Sequence, residues 1–507
     1  MADTLVADGD PTHDQIREQI ECFLKEYIPP DMPPYEVGTT KVIHDGLWGT
    51  VLLHSWELCF LDTPLFQRLR QIHQTGLAYL VYPSATHSRL EHTLGVMHNV
   101  QRLFEAITKA KNQKSLGRPD PYRLAALFHD VGHGIFSHAS EQVYGNLTSA
   151  SVFGTKRPHE ALSELILSSN QFQAYAAKVA DKHKVRIDVE TLGRWIVGSA
   201  AKDESERFMR EIINGPFDSD KLDYLFRDSH FTGLRLSVDL DRLWYTVRIR
   251  KAKGHFRLVV LQSGATPLEQ ILFSKMMLLI TVYHHHKVRA CDCMFDGIIE
   301  YMHEHNISYE IRGMHLNFRS PVDFLWLTDN DLYSLGFRTP KDEKLHDLIH
   351  NLYFRRLLKR AVILSRRMVN EDEGDNDLGP LLEFASPGQR SALKRRQLAR
   401  EIYDKAKPPD CLPQEVWLDL PEMPSTKAAD ETYVLPTQHG VPVPLKHFFP
   451  AGKWPEQYGI TRWRGHVFCP EHCRDKVAKA TMEVLREKYS IHLKKDAFLE
   501  CKVKVPR

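Results

Sequence analysis

The chain has 507 residues, enough for one large core and a smaller lobe without help from disulfides. Lysine and arginine exceed aspartate and glutamate by only 67 − 65 = 2, which excludes the blanket phosphate affinity of a strongly basic nucleic-acid binder and still allows a local basic pocket. Eight scattered cysteines, no basic-then-apolar leader and no long uncharged apolar run lead us to expect a reduced, soluble, intracellular protein, cytoplasmic by default and without a membrane partner.

Residues 1–12 are small, acidic and polar. A helix is expected from Asp14 to Ile28, where Ile16, Ile20, Phe23 and Tyr27 recur at helical spacing before Pro29 and Pro30 end it, so 1–37 reads as a tail and docking helix. Residues 41–54 turn β-like around Gly46 and Gly49. From 64 to 111 the pattern is one of successive helices, with Leu90, Leu94, Met97, Val100, Leu103 and Phe104 along one stripe. Helix is expected again over 122–144, 159–180, 187–198, 204–213, 219–228 and 264–305. It is interrupted at 245–261, where alternating apolar residues flank 251–254 in the manner of a hairpin.

After about residue 320 the texture changes. EDEGDND (371–377) is too acidic and too poor in apolar residues to pack, and reads as a solvated, mobile insertion near 370–378. Residues 407–455 form a proline-rich connection in which Val416, Trp417, Tyr433, Val434 and Leu435 suit short strands, and 475–489 returns to helical spacing. The expected fold is mainly α: a helical core over 38–330 carrying a small β-hairpin, followed by a mixed α+β lobe over 331–507.

The chemistry concentrates in LFHDVGHGIFSH (127–138), where an apolar helical stretch ends on adjacent His129 and Asp130. Imidazole nitrogen beside carboxylate oxygen suits a divalent cation, and Gly132 or Gly134 lets the backbone turn so that neighbours can share one ion. Two ligands are too few. THSRLEH (86–92) adds His87 and His92 at a helix start capped by Thr86 or Ser88, and FDSDKLDYLFRD (217–228) adds Asp218, Asp220, Asp223 and Asp228.

In order along the chain, H-x-R-x-E-H, HDVGHG-x-x-SH, PHE and DSDKLDY-x-x-RD make the sequence resemble the HD-domain dNTP triphosphohydrolases, both those that carry a sterile-alpha-motif domain, which this sequence lacks ahead of the core, and their bacterial relatives. The likeness covers roughly residues 38–300. It implies one divalent ion, Fe, Mn, Mg or Zn, held by His92, His129, Asp130 and Asp220, and attack at the α-phosphate of a nucleoside triphosphate to release deoxynucleoside and inorganic triphosphate, with Mg accompanying the nucleotide. His138 with Glu141, and His159 with Glu160, match the family's acid–base relay, although the family has aspartate where Glu141 stands. Arg89, His133, Lys221 and Tyr224 match phosphate-contacting positions, and Gln74 and Asp228 match contacts to the sugar 3′-hydroxyl.

Two departures bear on the substrate. Thr75 replaces the family's leucine beside the ribose 2′ position, which leaves selection between dNTPs and NTPs open. Lys275 stands for a triphosphate-binding arginine, and Tyr283 matches a tyrosine near the sugar only with one residue inserted after it. In nucleotide-activated members GTP or dGTP binds between subunits. Lys41, Val42, Asp62, Gln67 and Arg70 match one side of that site, Arg355 and Lys359 are candidates for the partner chain's side, and a homodimer or homotetramer is the associated expectation. The same DTPLFQRLR stretch reads equally well as Arg68 and Arg70 tying helices together.

HVFCPEHC (466–473) offers His466, Cys469, His472 and Cys473, but the spacing is irregular and no second ligand pair follows, so a structural reading is preferred to a zinc knuckle. The run His284 to His286 reads as a solvated or pocket-edge run or as a second metal site. Three classes stay in view: a dNTP triphosphohydrolase, an HD phosphohydrolase of a monophosphate or signalling nucleotide, and a non-catalytic nucleic-acid-binding protein. The full acid–base set speaks against the last.

Overall fold

A computed structural model of the chain describes residues 11–110, 116–147, 153, 157–199, 207–311, 313–338, 342–369, 379–386, 389–423, 430–437, 440–448, 458–459 and 461–504. The extreme N-terminal tail and the acidic insertion at 370–378 lie outside these residues. The fold is mainly α with small sheets.

The first helix, His13–Tyr27, starts at a Thr12–Gln15 capping box and buries Ile16, Ile20, Phe23, Leu24 and Tyr27. Its Phe23 and Tyr27 rings pack on Trp326, which fixes this helix against the main core. An antiparallel hairpin follows, Thr40–Asp45 with Gly49–His54. The stretch expected as one helix over 122–144 is two, Asp120–Phe128 and His138–Leu147, separated by a loop that holds the HD pair. The break has a local cause: a Cβ on Gly132 would lie 2.4 Å from the His159 carbonyl, so only glycine allows that close approach. Similarly, 264–305 divides into Ala265–Leu278, an i→i+5 turn over Leu279–Tyr283, and His286–Glu304. The run Gln262–Tyr283 is long and apolar enough to cross a membrane by length and composition, yet Leu268, Ile271 and Leu278 are buried against the core.

The hairpin expected near 245–261 forms as Val247–Ala252 with His255–Leu261, and Tyr433–Leu435 returns from far along the chain to pair with it in parallel. Two apolar cores result. The larger runs from Ile16 to Leu358 and includes Val434, Leu445 and Phe468. The smaller runs from Ala361 to Val503, built on an antiparallel sheet in the order Lys359–Leu364, Gly465–Cys469, Trp417–Asp419. Leu332, Leu335, Leu345, Ile349, Leu352 and Leu358 therefore pack with the main core, not with the smaller C-terminal one. A bidentate ion pair of Arg289 with Asp419, 2.6 Å at its shortest, joins the two lobes.

Candidate metal centre

Three helix ends meet at the centre of the main core. Ser88 caps the Arg89–Lys109 helix through a capping box with Glu91, and this places Arg89 and His92 in its first turn. His129 is the C-cap of Asp120–Phe128, so its side chain and that of Asp130 emerge where the helix ends. Asp218 caps Ser219–Thr232 by accepting from the Lys221 amide, and Asp220 falls in that helix's first turn.

The Nε2 atoms of His92 and His129 lie 3.3 Å apart. Asp220 Oδ1 is 3.1 Å from His92 Nε2 and 3.9 Å from His129 Nε2, while Asp130 Oδ1 is 3.2 Å from His129 Nε2 and Oδ2 is 3.6 Å from His92 Nε2. The opposite ring nitrogens are tied outward: His92 Nδ1 to Asp223 at 2.7 Å, His129 Nδ1 to the Ala126 carbonyl at 2.7 Å. The outward Nδ1–H bonds fix the tautomer that a metal ligand needs, with both Nε2 atoms turned towards one point beside two carboxylates, an arrangement that suits a divalent cation displacing the His92 Nε2 proton. Burial disfavours the charged His92 ring, but hydrogen bonds to Asp220 and Asp223 outweigh it and raise its pKa to about 10. Burial likewise acts on Asp130 and is overcome by His129 and Arg89, which hold its carboxyl well below the ordinary range. Asp130 and Asp220 are both held below the ordinary carboxylate range and stay ionised, available to a cation. Asp223 is in turn bracketed by Arg227 at 2.8 Å and by the Trp48 indole, and Gly95 makes room for it.

Beyond the ligands lies a second polar cluster. Glu141 bridges two histidines, taking His138 Nδ1 at 3.0 Å on one oxygen and His159 Nδ1 at 2.9 Å on the other, so glutamate in place of aspartate does reach. Burial would raise the Glu141 pKa, but His159, His138 and His133 hold it well below its usual value; the same pairing raises His159. His138 is largely exposed and His159 is buried. His133 stacks on His159 at 4.1 Å, and burial with Arg89 nearby pushes its pKa down to about 3, so it is neutral. Its ring nitrogens lie 3.0 Å from Glu141 and 3.5 Å from Asp130 without well-aligned hydrogen bonds. Glu160 is turned elsewhere, towards Arg157 and Asn214.

Phe136 and Ser137, just before His138, both have left-handed backbone, φ +51° and +55°. Each such L-residue costs roughly 1–2 kcal/mol, so neighbours must hold the turn. Ser137 Oγ donates to the His73 carbonyl at 2.6 Å and accepts from Arg89 Nε at 2.9 Å. Arg89 is committed on its other side to Asp130, at 2.7 Å.

On the remaining side, Lys221 Nζ pairs with Asp218 at 2.5 Å. Lys275 has its pKa lowered to about 8 by burial and then by the charges of Lys221 and Arg157. Arg157 carries no signal in the sequence beyond its place before the PHE motif. Asp228 accepts from His87 at 2.8 Å and from the Tyr283 hydroxyl at 2.5 Å. Tyr283 closes the i→i+5 turn over Leu279–Tyr283, just before the chain breaks at His284 and His285. Burial raises the pKa of Tyr224 and of Tyr283, so both keep their protons. The Gln74 side-chain oxygen and the Thr75 hydroxyl are buried without a hydrogen-bond partner.

The residues considered for guanine-nucleotide binding fall in separate groups. Lys41 donates to the Tyr35 hydroxyl at 3.0 Å, and that hydroxyl donates to Asp62; Val42 is exposed on the same hairpin. Arg70 donates to Gln67 at 2.7 Å. Arg68, in contrast, is buried and binds the carbonyls of Val131 and His133, which makes it the residue that ties this segment to the HD loop. Arg355 donates to the Leu80 carbonyl at 2.5 Å, and Lys359 opens the C-terminal sheet. Of the C-terminal histidines and cysteines, Cys469 and Cys473 are buried in the smaller core, while exposed His472 reaches backbone carbonyls of Pro409 and Asp410. Among the described residues, only two groups bring three or more ligand atoms within 4.8 Å: His92, His129 and Asp130, and His133, His138, Glu141 and His159.

Residues 89–226 match the HD domain and residues 238–496 match the HD associated region, the latter alone spanning half of the chain. The chain belongs to the HD-domain family. It is 32% identical over 296 residues to an uncharacterized protein of Methanocaldococcus jannaschii, covering 58% of this chain and 56% of that one. It is 27% identical over 333 residues to deoxynucleoside triphosphate triphosphohydrolase SAMHD1 of Bos taurus, covering 61% and 56%. The matches thus span little more than half the length of these relatives. A crystal structure of a hypothetical protein from Aquifex aeolicus superposes with a TM-score of 0.60 at 26% identity, covering 87% of this chain and all of that one.

Proposed function

We propose that the protein is a metal-dependent hydrolase that cleaves deoxynucleoside triphosphates at the α-phosphate, releasing deoxynucleoside and inorganic triphosphate. The observation that carries this reading is that Lys275 is buried near the cations of Lys221 and Arg157 beside Asp220, with burial first and those charges second lowering its ammonium to about 8. A buried lysine with two further cations around it calls for a ligand of high negative charge, and a triphosphate supplies it next to the candidate metal ligands. Similarity to relatives named deoxynucleoside triphosphate triphosphohydrolase points the same way.

A divalent ion held by His92, His129, Asp130 and Asp220 supplies Lewis acidity towards a phosphoryl oxygen. The chain does the rest. Lys275, Lys221 and Arg157 bind the phosphate tail, while Arg89 fixes Asp130. Glu141 holds both relay histidines by their Nδ1 atoms, which leaves His138 Nε2 to give a proton to the 5′-oxygen as the bond from that oxygen to phosphorus breaks and water oxygen bonds to phosphorus, the proton that water loses passing to solvent. The unpartnered oxygens of Gln74 and Thr75 accept hydrogen bonds from sugar hydroxyls, and Asp228 with Tyr283 closes that side. Incubation with Mg or Mn and each dNTP and NTP tests the reading: triphosphate with deoxynucleoside is expected, and orthophosphate or pyrophosphate alone sinks it.

A second reading rests on the other ligand group. If His133, His138, Glu141 and His159 hold a metal as well, the protein is a two-metal phosphohydrolase of a monophosphate or signalling nucleotide. Metal stoichiometry separates the two, at one ion per chain or two. We further propose that Lys41, Val42, Asp62, Gln67 and Arg70 of one chain, with Arg355 and Lys359 of another, bind GTP or dGTP and stabilise a dimer or tetramer. The supporting observation is a polar cluster of Lys41, Tyr35 and Asp62 on one exposed edge. Oligomer size and activity that ignore both nucleotides would remove this part of the proposal.

A further inference from the structure

Asp329 lies at the start of the Asp329–Arg338 helix, in the HD associated region, and is 1% exposed. It is neither in the ligand group nor in the relay. Its two oxygens nevertheless serve the segment that leads into the relay. Oδ1 accepts from the Phe136 amide at 2.7 Å, and Oδ2 accepts from the His73 amide at 2.8 Å and pairs with His73 Nδ1 at 2.5 Å. The His73 carbonyl in turn accepts from Ser137 Oγ at 2.6 Å. A closed ring of hydrogen bonds therefore runs from Asp329 to Phe136, along the chain to Ser137, across to His73 and back to Asp329.

The ring encloses two consecutive left-handed residues, Phe136 and Ser137, and His138 follows at once. An unrestrained chain leaves this conformation, because an L-residue prefers the right-handed or extended region. If it did, the His138–Leu147 helix would start in another direction and carry His138 and Glu141 with it. The Phe136 ring packs on Phe295 and Tyr333, and local bonds from the Ser137 amide to Gly134 and from the Ala139 amide to Phe136 hold the turn from within, while the Phe136 amide itself is held by Asp329. The same ring also fixes the backbone of His73, next to Gln74, whose carbonyl accepts from Arg89 at 3.3 Å.

We propose that Asp329 is a positioning residue: by gripping the Phe136 amide and His73 together, it keeps Phe136 and Ser137 left-handed and so sets where the His138–Glu141–His159 relay sits. The proposal rests on reading that trio as the acid–base relay. Aspartate suits the position because it has two acceptor oxygens and no donor, and three donors face it.

The test compares wild type with Asp329→Asn, whose amide can accept on one side only, and with His73→Phe, which keeps a ring on Tyr79 and both backbone bonds while losing the Nδ1 bond. Displacement of a reacting group by about 1 Å costs on the order of a hundredfold in rate, so kcat of Asp329→Asn should fall between about 10- and 100-fold while KM and metal content stay within about twofold. His73→Phe should show a smaller loss, about threefold, also in kcat alone. A rise in KM equal to the fall in kcat, or a kcat of Asp329→Asn within twofold of wild type, overturns the proposal. If Asp329→Asn does not fold, His73→Phe decides: unchanged kcat overturns the proposal and a loss in kcat alone supports it. A readout independent of the reaction is the rate at which diethyl pyrocarbonate modifies exposed His138, measured by peptide mass spectrometry. It should change at least about threefold in Asp329→Asn once Glu141 no longer holds the ring, and an unchanged rate overturns the proposal. Should wild type turn over no nucleotide, the functional reading fails while this modification rate still decides the role of Asp329.

Discussion

Two stretches of this chain are rich in metal-ligand types, and they fold to opposite ends. In the HD loop and its two partner helices, His92, His129, Asp130 and Asp220 converge with Nε2 atoms 3.3 Å apart. In HVFCPEHC, His466, Cys469, His472 and Cys473 disperse: Gly465–Cys469 becomes a fully buried strand, and His472 turns out to solvent. The difference lies in what each backbone does. Helix ends present several side chains towards one point, whereas a strand sends alternate side chains to opposite faces. Electrostatics then separates the two. His92 sits among carboxylates that outweigh its burial, while buried His466 has its pKa pushed down to about 3, with Asp419 opposing that shift and Arg360 adding to it.

The sharpest attempt to break this contrast is Asp130→Asn. It removes a ligand and leaves Arg89 without its buried carboxylate, so activity should fall by about a thousandfold or more and bound metal should disappear from elemental analysis, with helical circular dichroism retained. Retained metal would mean that the convergence of ligands is incidental. Lys275→Met is next. Loss of one phosphate-binding cation should lower kcat/KM for a dNTP by roughly 10- to 100-fold without lowering the melting temperature, since a buried charge crowded by Lys221 and Arg157 is removed.

Glu141→Gln sharpens the comparison, because the relay converges as the metal ligands do but balances its own charge. Glu141 is depressed below 4.5, so its contribution to stability is present above 4.5 and is lost as pH falls through the depressed value; His159 is raised above 6.5, so its contribution is present below 6.5 and is lost as pH rises through the raised value. The gap in melting temperature between wild type and Glu141→Gln should therefore be widest between 4.5 and 6.5 and narrow on either side. A gap independent of pH would show that the bridge is not an ion pair. Smallest is Cys469→Ser. Burying a hydroxyl in the C-terminal core should cost about 1–3 kcal/mol in chemical denaturation, with metal content unchanged; loss of an ion would revive the knuckle.

Much of this was legible in the sequence. The apolar stripe from Leu90 to Leu103 forms the buried face of a helix, and the hairpin at 245–261 lies where alternation puts it. The motifs that hold the four candidate ligands were visible, since helix starts and stops leave capping residues and glycines behind, and the family resemblance picked the four out of the histidines and aspartates there. What could not be read is contact made by residues without motif. Arg157 shows its role only through its neighbours, and Asp329 looks like any first-turn aspartate until Phe136 and His73 are seen to share it. Arg68 and Arg70 stand two apart in one segment, yet one is buried on backbone carbonyls and the other is exposed beside Gln67. The helix break at 129–137 was legible in part, because Gly132 and Gly134 mark a turn there, but the approach of the His159 carbonyl to Gly132 was not. The main core also runs on to Leu358 because packing between distant helices sets its limit, not a change in composition.

The wide turn at Leu279–Tyr283 works as a splice. Each residue added to an α-helix rotates all that follows by about 100°, so an ordinary insertion would have swung Tyr283 off Asp228 and turned His286–Glu304 away from the C-terminal lobe. Widening one turn confines the surplus to five residues: the segment before it keeps Lys275 near Lys221, and the segment after it keeps Arg289 on Asp419. Deleting one residue from 279–283 should therefore restore a regular turn with Lys275 and Arg289 still in place, whereas straightening the turn at its present length would carry the phosphate side of the site and the junction between lobes out of mutual register.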